Sequence, residues 1–210
     1  MATWEDIMNT ENKTYPVNLR GELTIPPGGW VWLFKWLLII PHAFVLLFLG
    51  IGFVVVWIIA FFAILFTGQY PKSLFEYNTG VLRWTWRVFF YSYQALGTDK
   101  YPPFSLQPDP DYPADLDIAY PESLSRGLVL VKWWLLAIPH YIIVGIFQGG
   151  RYGGLVFILA IISAIVVLFT GKYPPEIFKL VIGMNRWSYR VYAYAALMTD
   201  EYPPFRLWDD

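Results

Sequence analysis

The sequence is written twice, so whatever it folds into has to be built from one repeated unit. The first copy reads Trp36-Leu37-Leu38-Ile39-Ile40-Pro41-His42, Leu65-Phe66-Thr67-Gly68-Gln69-Tyr70-Pro71, Arg83-Trp84-Thr85-Trp86-Arg87-Val88 and Thr98-Asp99-Lys100-Tyr101-Pro102-Pro103-Phe104. The second answers with Trp134-Leu135-Leu136-Ala137-Ile138-Pro139-His140, Leu168-Phe169-Thr170-Gly171-Lys172-Tyr173-Pro174, Arg186-Trp187-Ser188-Tyr189-Arg190-Val191 and Thr199-Asp200-Glu201-Tyr202-Pro203-Pro204-Phe205. Four blocks in one order are not a coincidence.

These blocks resemble a family of small bacterial membrane proteins, the domain of unknown function of the 4389 type. Its members share the Pro-His, Phe-Thr-Gly-x-Tyr-Pro, Arg-Trp-x-x-Arg-Val and Thr-Asp-x-Tyr-Pro-Pro-Phe blocks. The resemblance runs from about Trp30 onward, in two tandem copies. It implies a bacterial membrane protein and carries no activity with it.

Composition agrees about the solvent. Of 210 residues, 57% are hydrophobic and only 15% charged, too greasy a mixture for a surface facing water on all sides. Aromatics make up 20%, with 11 Trp and 15 Tyr, rings that favour the boundary between lipid tails and headgroups. The 15 basic residues against 16 acidic ones argue against a nucleic-acid partner, and the absence of Cys removes disulfides, Cys-ligated zinc and thiol catalysis.

Each copy opens with an apolar stretch, Trp30 to Phe66 and Leu128 to Phe169, too long for one helix across roughly 30 Å of hydrocarbon. Pro41 and Pro139 lie 98 positions apart but Thr67 and Thr170 lie 103 apart, so copy two has gained five residues between them. The gain falls at Gln148-Gly149-Gly150-Arg151-Tyr152-Gly153-Gly154, a polar segment that reads as a hairpin tip, with Gly50-Ile51-Gly52 as its tighter counterpart. The expected fold is an all-α integral membrane protein of two tandem parallel repeats, each a transmembrane helical hairpin followed by an amphipathic interfacial helix. A shallow hairpin dipping into one leaflet is the alternative. The surface helices are expected over about Ser73 to Leu96 and Pro175 to Leu197. The expected division is a cytoplasmic tail over 1–29, repeat 1 over 30–106, a Pro/Asp-rich linker over 107–126 and repeat 2 over 127–210.

Basic residues recur at matching positions, so the copies are expected to point the same way, each with an even number of crossings. Arg151 would be the only Lys or Arg at a tip, and the positive-inside rule then sets both termini in the cytoplasm of a bacterial inner membrane. No cleaved signal peptide is expected.

Two constellations invite chemistry. His42 and His140, the only histidines, each follow a proline inside an apolar segment. A neutral intramembrane imidazole can ligate haem or a pigment, but it can equally hydrogen-bond a neighbour and lock the bend that proline makes at Leu37 or Leu135, and the second reading is favoured. Arg83 with Arg87, and Arg186 with Arg190, could hold lipid phosphates; pairing with nearby acids and carbonyls is favoured over that. No phosphate loop, nucleophile elbow or metal motif is present, so no enzyme is expected. The leading functional expectation is a non-catalytic accessory or scaffold subunit of a membrane complex, with membrane lipids and other membrane-protein subunits as partners. A lipid or hydrophobic-molecule binder using the groove between copies, and a haem or pigment subunit, are the alternatives.

Overall fold

The computed structural model describes residues 15–23, 28, 30–149 and 154–208. In chain order these form β1 (Val17–Gly21), a 3-10 turn (Val31–Phe34), α1 (Lys35–Leu38), α2 (Ile40–Thr67), α3 (Lys72–Tyr91), β2 (Ala114–Ile118), α4 (Leu128–Val131), a π-turn (Lys132–Leu136), α5 (Ile138–Gln148), α6 (Leu155–Thr170) and α7 (Pro175–Ala195). The chain is mostly helical, but not all-α.

The two strands pair antiparallel with Leu19 opposite Leu116. Tyr15-Pro16-Val17-Asn18-Leu19 and Tyr112-Pro113-Ala114-Asp115-Leu116 are the same motif 97 residues apart, so each strand opens its own copy. The register is self-complementary under that offset: Val17 faces Ile118 as Ala114 faces Gly21, and Asn18 faces Asp117 as Asp115 faces Arg20. A pseudo-twofold axis therefore passes through the Leu19–Leu116 pair, and the copies are related in parallel fashion. The strands are exchanged across it. Copy two's β2 packs on α3 of copy one, while copy one's β1 packs on α7 of copy two.

The helices α3 and α7 are a middle layer rather than surface helices. At about 100° per residue, Tyr77 and Trp84 point one way from α3 and Trp86 the opposite way, with Arg83 and Arg87 between them. Tyr77 Oη donates to the Leu49 carbonyl of α2 at 3.1 Å, and Trp86 Nε1 donates to the Arg20 carbonyl of β1 at 2.8 Å. In α7, Trp187 faces α5 while the Ile182 side chain lies against Gly21 of β1. The layers stack as sheet, then α3 with α7, then α2 with α5 and α6. Burial follows this order: α3 and α7 hold most of the core, whereas α2 buries fully only His42, Val56, Ala60 and Ile64.

The hairpin expected in copy one does not form. Residues 40–67 are one continuous 28-residue helix, about 42 Å long, running straight through Gly50-Ile51-Gly52. Two glycines cost a helix about 1 kcal/mol each, less than the unpaired peptide groups a turn would leave between two apolar runs. Copy two cannot do the same, because five extra residues do not fit the helix. It breaks at Gly149, whose φ is 72°. Gly154 then lies against the backbone of Phe147, Gln148 and Gly149, so the inserted segment leaves and rejoins the chain at one place. Residues 150–153, Arg151 among them, lie outside the described residues. Gln148, read from sequence as part of a remote tip, instead donates its amide to Ser188 Oγ of α7 at 2.9 Å.

A second length difference is absorbed by the π-turn. Lys35 precedes Pro41 by six residues and Lys132 precedes Pro139 by seven, and the wider π winding of Lys132–Leu136 takes up the odd residue. Both lysines end fully buried in equivalent places.

Continuity at residues 50–52 has a two-sided test. A β-carbon added to Gly50 would find nothing within 4 Å, whereas one on Gly52 would meet the Tyr77 hydroxyl. Gly50→Ala should stabilise the protein by about 0.5–1 kcal/mol, as an open mid-helix site does. Gly52→Ala should lower the unfolding midpoint by displacing Tyr77 from the Leu49 carbonyl. Thermal unfolding in detergent reads both, and equal effects would contradict the continuous helix.

Candidate functional site

Each copy closes on a clamp built from its Thr-Asp-x-Tyr-Pro-Pro-Phe block. Pro41 and Pro139 stand at the second residue of α2 and α5, where their missing N–H is harmless, and the chain bends just before them. The carbonyls taken up there are Leu38 and Leu136, one residue later than the proline rule alone indicates. Tyr101 Oη donates to Leu38 at 2.9 Å and Tyr202 Oη to Leu136 at 3.1 Å. The phenylalanine of each block stacks on the histidine, Phe104 on His42 at 3.9 Å and 15°, Phe205 on His140 at 4.3 Å and 23°.

The imidazoles are fully buried, and each accepts a hydrogen bond at Nδ1 from a tryptophan of the middle layer. Trp84 Nε1 donates to His42 and Trp187 Nε1 to His140, both at 3.0 Å. An indole N–H can only donate, so this bond assigns the ring proton to Nε2. In both rings Nε2 is buried without a hydrogen-bond partner among the described residues. Each histidine also sits in its own copy against its own block rather than facing the other. Each imidazole is thus packed through Nδ1 and its stacked ring against its own copy.

The aspartate of each block is among the acids close to the arginines in sequence. In the structure it serves the lysines instead. Lys35 Nζ lies 2.9 Å from Asp99 Oδ1 and donates to the Thr98 carbonyl at 2.6 Å; Lys132 Nζ lies 2.6 Å from Asp200 Oδ1 and donates to the Thr199 carbonyl at 3.0 Å. Tyr91 and Tyr194 present their rings to these ammonium groups at 4.5 and 5.7 Å. Burial pulls the Lys35 pKa below its ordinary value, with Asp99 pulling the other way.

The arginines are held by the exchanged strand and by the strap after each clamp. Arg83 donates from Nε to the Leu116 carbonyl at 2.8 Å and from Nη1 to the Leu106 carbonyl at 3.0 Å, with Asp115 Oδ1 at 3.2 Å. Arg87 reaches Asp115 Oδ1 at 2.9 Å and the Gln107 carbonyl at 2.9 Å. Both are buried and engaged as the acid-and-carbonyl reading has it, but the acids come from β2, inside what the sequence offered as a plain linker. In copy two Arg190 is buried with its guanidinium 5.3 Å over the Tyr15 ring, and Arg186 lies beside Lys179 and Trp208; both are engaged. The strap passes so close to the middle layer that a β-carbon on Gly80 would stand 2.8 Å from Leu106 Cβ, and one on Gly183 3.1 Å from Leu207 Cβ.

Of the small residues Ala60, Ala63, Ala160, Ser163 and Ala164, which spacing offers for close helix packing, all but the half-buried Ala63 are buried. Sequence reasoning missed Lys35 and Lys132, whose signal was the repeated Lys-Trp, shifted one place from the proline alignment. It also missed the repeated Tyr-Pro motif of the strands. Among the described residues no cluster of three His, Asp or Glu is arranged to hold a metal ion. The chain matches the family model described as "Domain of unknown function (DUF4389)" over residues 31–105 and again over 129–206. No curated protein and no solved structure matches it.

Two substitutions separate packing from chemistry. His42→Leu leaves the Trp84 N–H buried without an acceptor and should cost about 1–3 kcal/mol, while His42→Leu with Trp84→Phe should cost less than the sum of the single changes. Asp99→Asn should destabilise by about 3 kcal/mol by stranding the Lys35 ammonium, and adding Lys35→Met should recover much of it. Denaturant unfolding of six variants, the two single changes and the double for each pair, measures both couplings; additive costs would mean the contacts carry no coupling energy.

Proposed function

The chain belongs to the DUF4389 family, with two copies of the domain in tandem, and from that premise we propose that it is a non-catalytic membrane protein, an accessory or scaffold subunit of a larger assembly in the bacterial cytoplasmic membrane. The observation that carries this reading is the outer helical layer. Phe44, Leu47, Phe48, Ile51, Val55, Ile58, Phe62 and Phe66 of α2 are all exposed, as are Ile142 and Ile146 of α5 and Ile158, Ile162, Ile165 and Phe169 of α6. An apolar face of this extent needs a non-aqueous partner. By length and composition α2 alone is also apolar enough to reach across a membrane. The non-catalytic part of the reading is supported by what the polar groups do: the lysines, most arginine contacts and both imidazoles are spent on holding the three layers together. Arg83 and Arg87 lie on the sheet side of the middle layer and α2 carries no Lys or Arg, which supports a cytoplasmic position for the sheet side under the positive-inside rule.

A lipid-binding role has one observation in its favour. An apolar notch of about 310 Å³ opens between the copies, lined by Phe53, Val54 and Trp57 of α2, Leu82 of α3 and Tyr192, Ala195 and Ala196 of copy two. This is the groove between repeats, and it would take an acyl chain. The arginines play no part in it.

Purification from native membranes in mild detergent tests the subunit reading. A second membrane protein recovered in fixed proportion is the expected result, and a monodisperse protein recovered alone would overturn it. Mass spectrometry of the same preparation checks the notch: a retained lipid should be lost in Ala195→Leu, and its persistence there would exclude that site.

A further inference from the structure

Resting on that membrane reading, we propose that the protein is monotopic: α2 and the α5–α6 pair lie flat within one leaflet, and no described segment crosses the bilayer. The partner of the exposed helical layer is thus lipid hydrocarbon met from the side, along the helix rather than around it.

Three observations lead there. The first is symmetry. An antiparallel strand pair has its twofold perpendicular to the sheet, so the pseudo-twofold through Leu19 and Leu116 runs along the direction in which the layers stack. Both copies consequently turn their apolar helices towards the same end of that axis, and the sheet exposes Asn18 and Asp117 at the other end. The molecule has one greasy face and one wet face.

The second is the path of α2. Near its start His42 meets Trp84 and Leu49 meets Tyr77, both on α3 of its own copy. In its middle Trp57 donates to the Ala195 carbonyl at the end of α7, in the other copy, at 3.1 Å. Just beyond its end the Gly68 carbonyl accepts from Leu124 N, at the start of repeat 2. The helix therefore travels from one copy to the other over the middle layer, across the axis and not along it. In copy two α6 packs on α7 of its own copy and also reaches copy one, with Phe157 against Tyr93 and the following Tyr173 donating to the Ala95 carbonyl.

The third is charge at mid-helix. Tyr77, which bonds Leu49 in the first half of α2, is adjacent in sequence to exposed Glu76. Trp57 packs at 5.3 Å on Trp133, next to the Lys132–Asp200 pair. Were α2 upright, these ionised groups would sit near the depth of the bilayer centre, where charge is most costly. Lying flat, α2 keeps them on its wet side. Lipid rather than a second copy of the chain is the occupant because the exposed side of α2 carries no charged residue between Lys35 and Lys72 and its margin carries exposed Trp30, Trp36 and Trp134, residues that gather at the headgroup level.

The chain lacks cysteine, so single spin labels can be placed without background. Phe44→Cys, Ile51→Cys, Ile58→Cys and Phe66→Cys sit at exposed positions along α2. In vesicles of phosphatidylethanolamine and phosphatidylglycerol, collisions with dissolved oxygen and with a water-soluble nickel chelate give the depth of each label. The expected result is four labels at one shallow depth, all open to oxygen. A depth changing steadily from Phe44 to Phe66, by up to about 33 Å over 22 residues, would overturn the proposal while leaving the membrane reading intact. Labels screened from oxygen would mean that protein covers the face, and would overturn it as well. Failure of the protein to float with the vesicles would remove both this proposal and the membrane reading beneath it.

Discussion

The fold depends on meeting two ammonium charges that water cannot reach. Lys35 and Lys132 are wholly buried, near the beginning of each apolar segment, and a buried cation without a partner costs several kcal/mol. The carboxylates that meet them belong to Asp99 and Asp200, at the far end of the same copy. Closing each pair draws the last block of a copy back to its beginning. Once it is there, the tyrosine after it caps a helix carbonyl, the phenylalanine stacks on the histidine, and the strap that follows seats on Gly80 or Gly183. Each block therefore works as a clasp whose sequence order, Asp then Tyr then Phe, is the order in which it meets Lys, carbonyl and imidazole.

The sequence is informative about what repeats and misleading about what faces what. The four blocks, the parallel relation of the copies, the long apolar segments and the two helices after Pro71 and Pro174 are legible from spacing and periodicity. The polar stripe of Arg83 and Arg87 is legible too, but periodicity cannot say whether such a stripe meets headgroups or protein. Its acids, Asp115 and Asp117, lie in a Pro-rich stretch where a five-residue strand gives little signal. Gly50-Ile51-Gly52 looks like a turn because glycine marks turns in water. In a segment where only an unbroken helix pairs every peptide group, the same glycines are merely tolerated.

The length differences between the copies fall where contacts are few. One extra residue before Pro139 is taken up by π winding, and the five-residue gain after Gln148 begins where the helix ends at Gly149, with Gly154 back against the Phe147–Gly149 backbone. The clasp positions are held; the connections between them are free to vary. This is the pattern expected when a few buried polar contacts, rather than the lengths of the helices, set the architecture.

The exchange of strands explains why two copies share one chain. Arg87 of copy one finds its carboxylate on β2 of copy two, so a single copy lacks the groups that neutralise its own middle-layer helix. Two identical copies would pair their strands about the same axis, but with like residues at the positions that now hold Asn18 and Arg20 in one strand and Asp115 and Asp117 in the other. Were both strands to carry the two aspartates, acid would face acid twice across the sheet, which is destabilising. With Arg20 opposite Asp115 and Asn18 opposite Asp117, the repulsion is replaced by a cation and an amide. The copies thus differ at the pairs flanking the symmetry axis while their clasps are alike, and that difference suits each strand to the other.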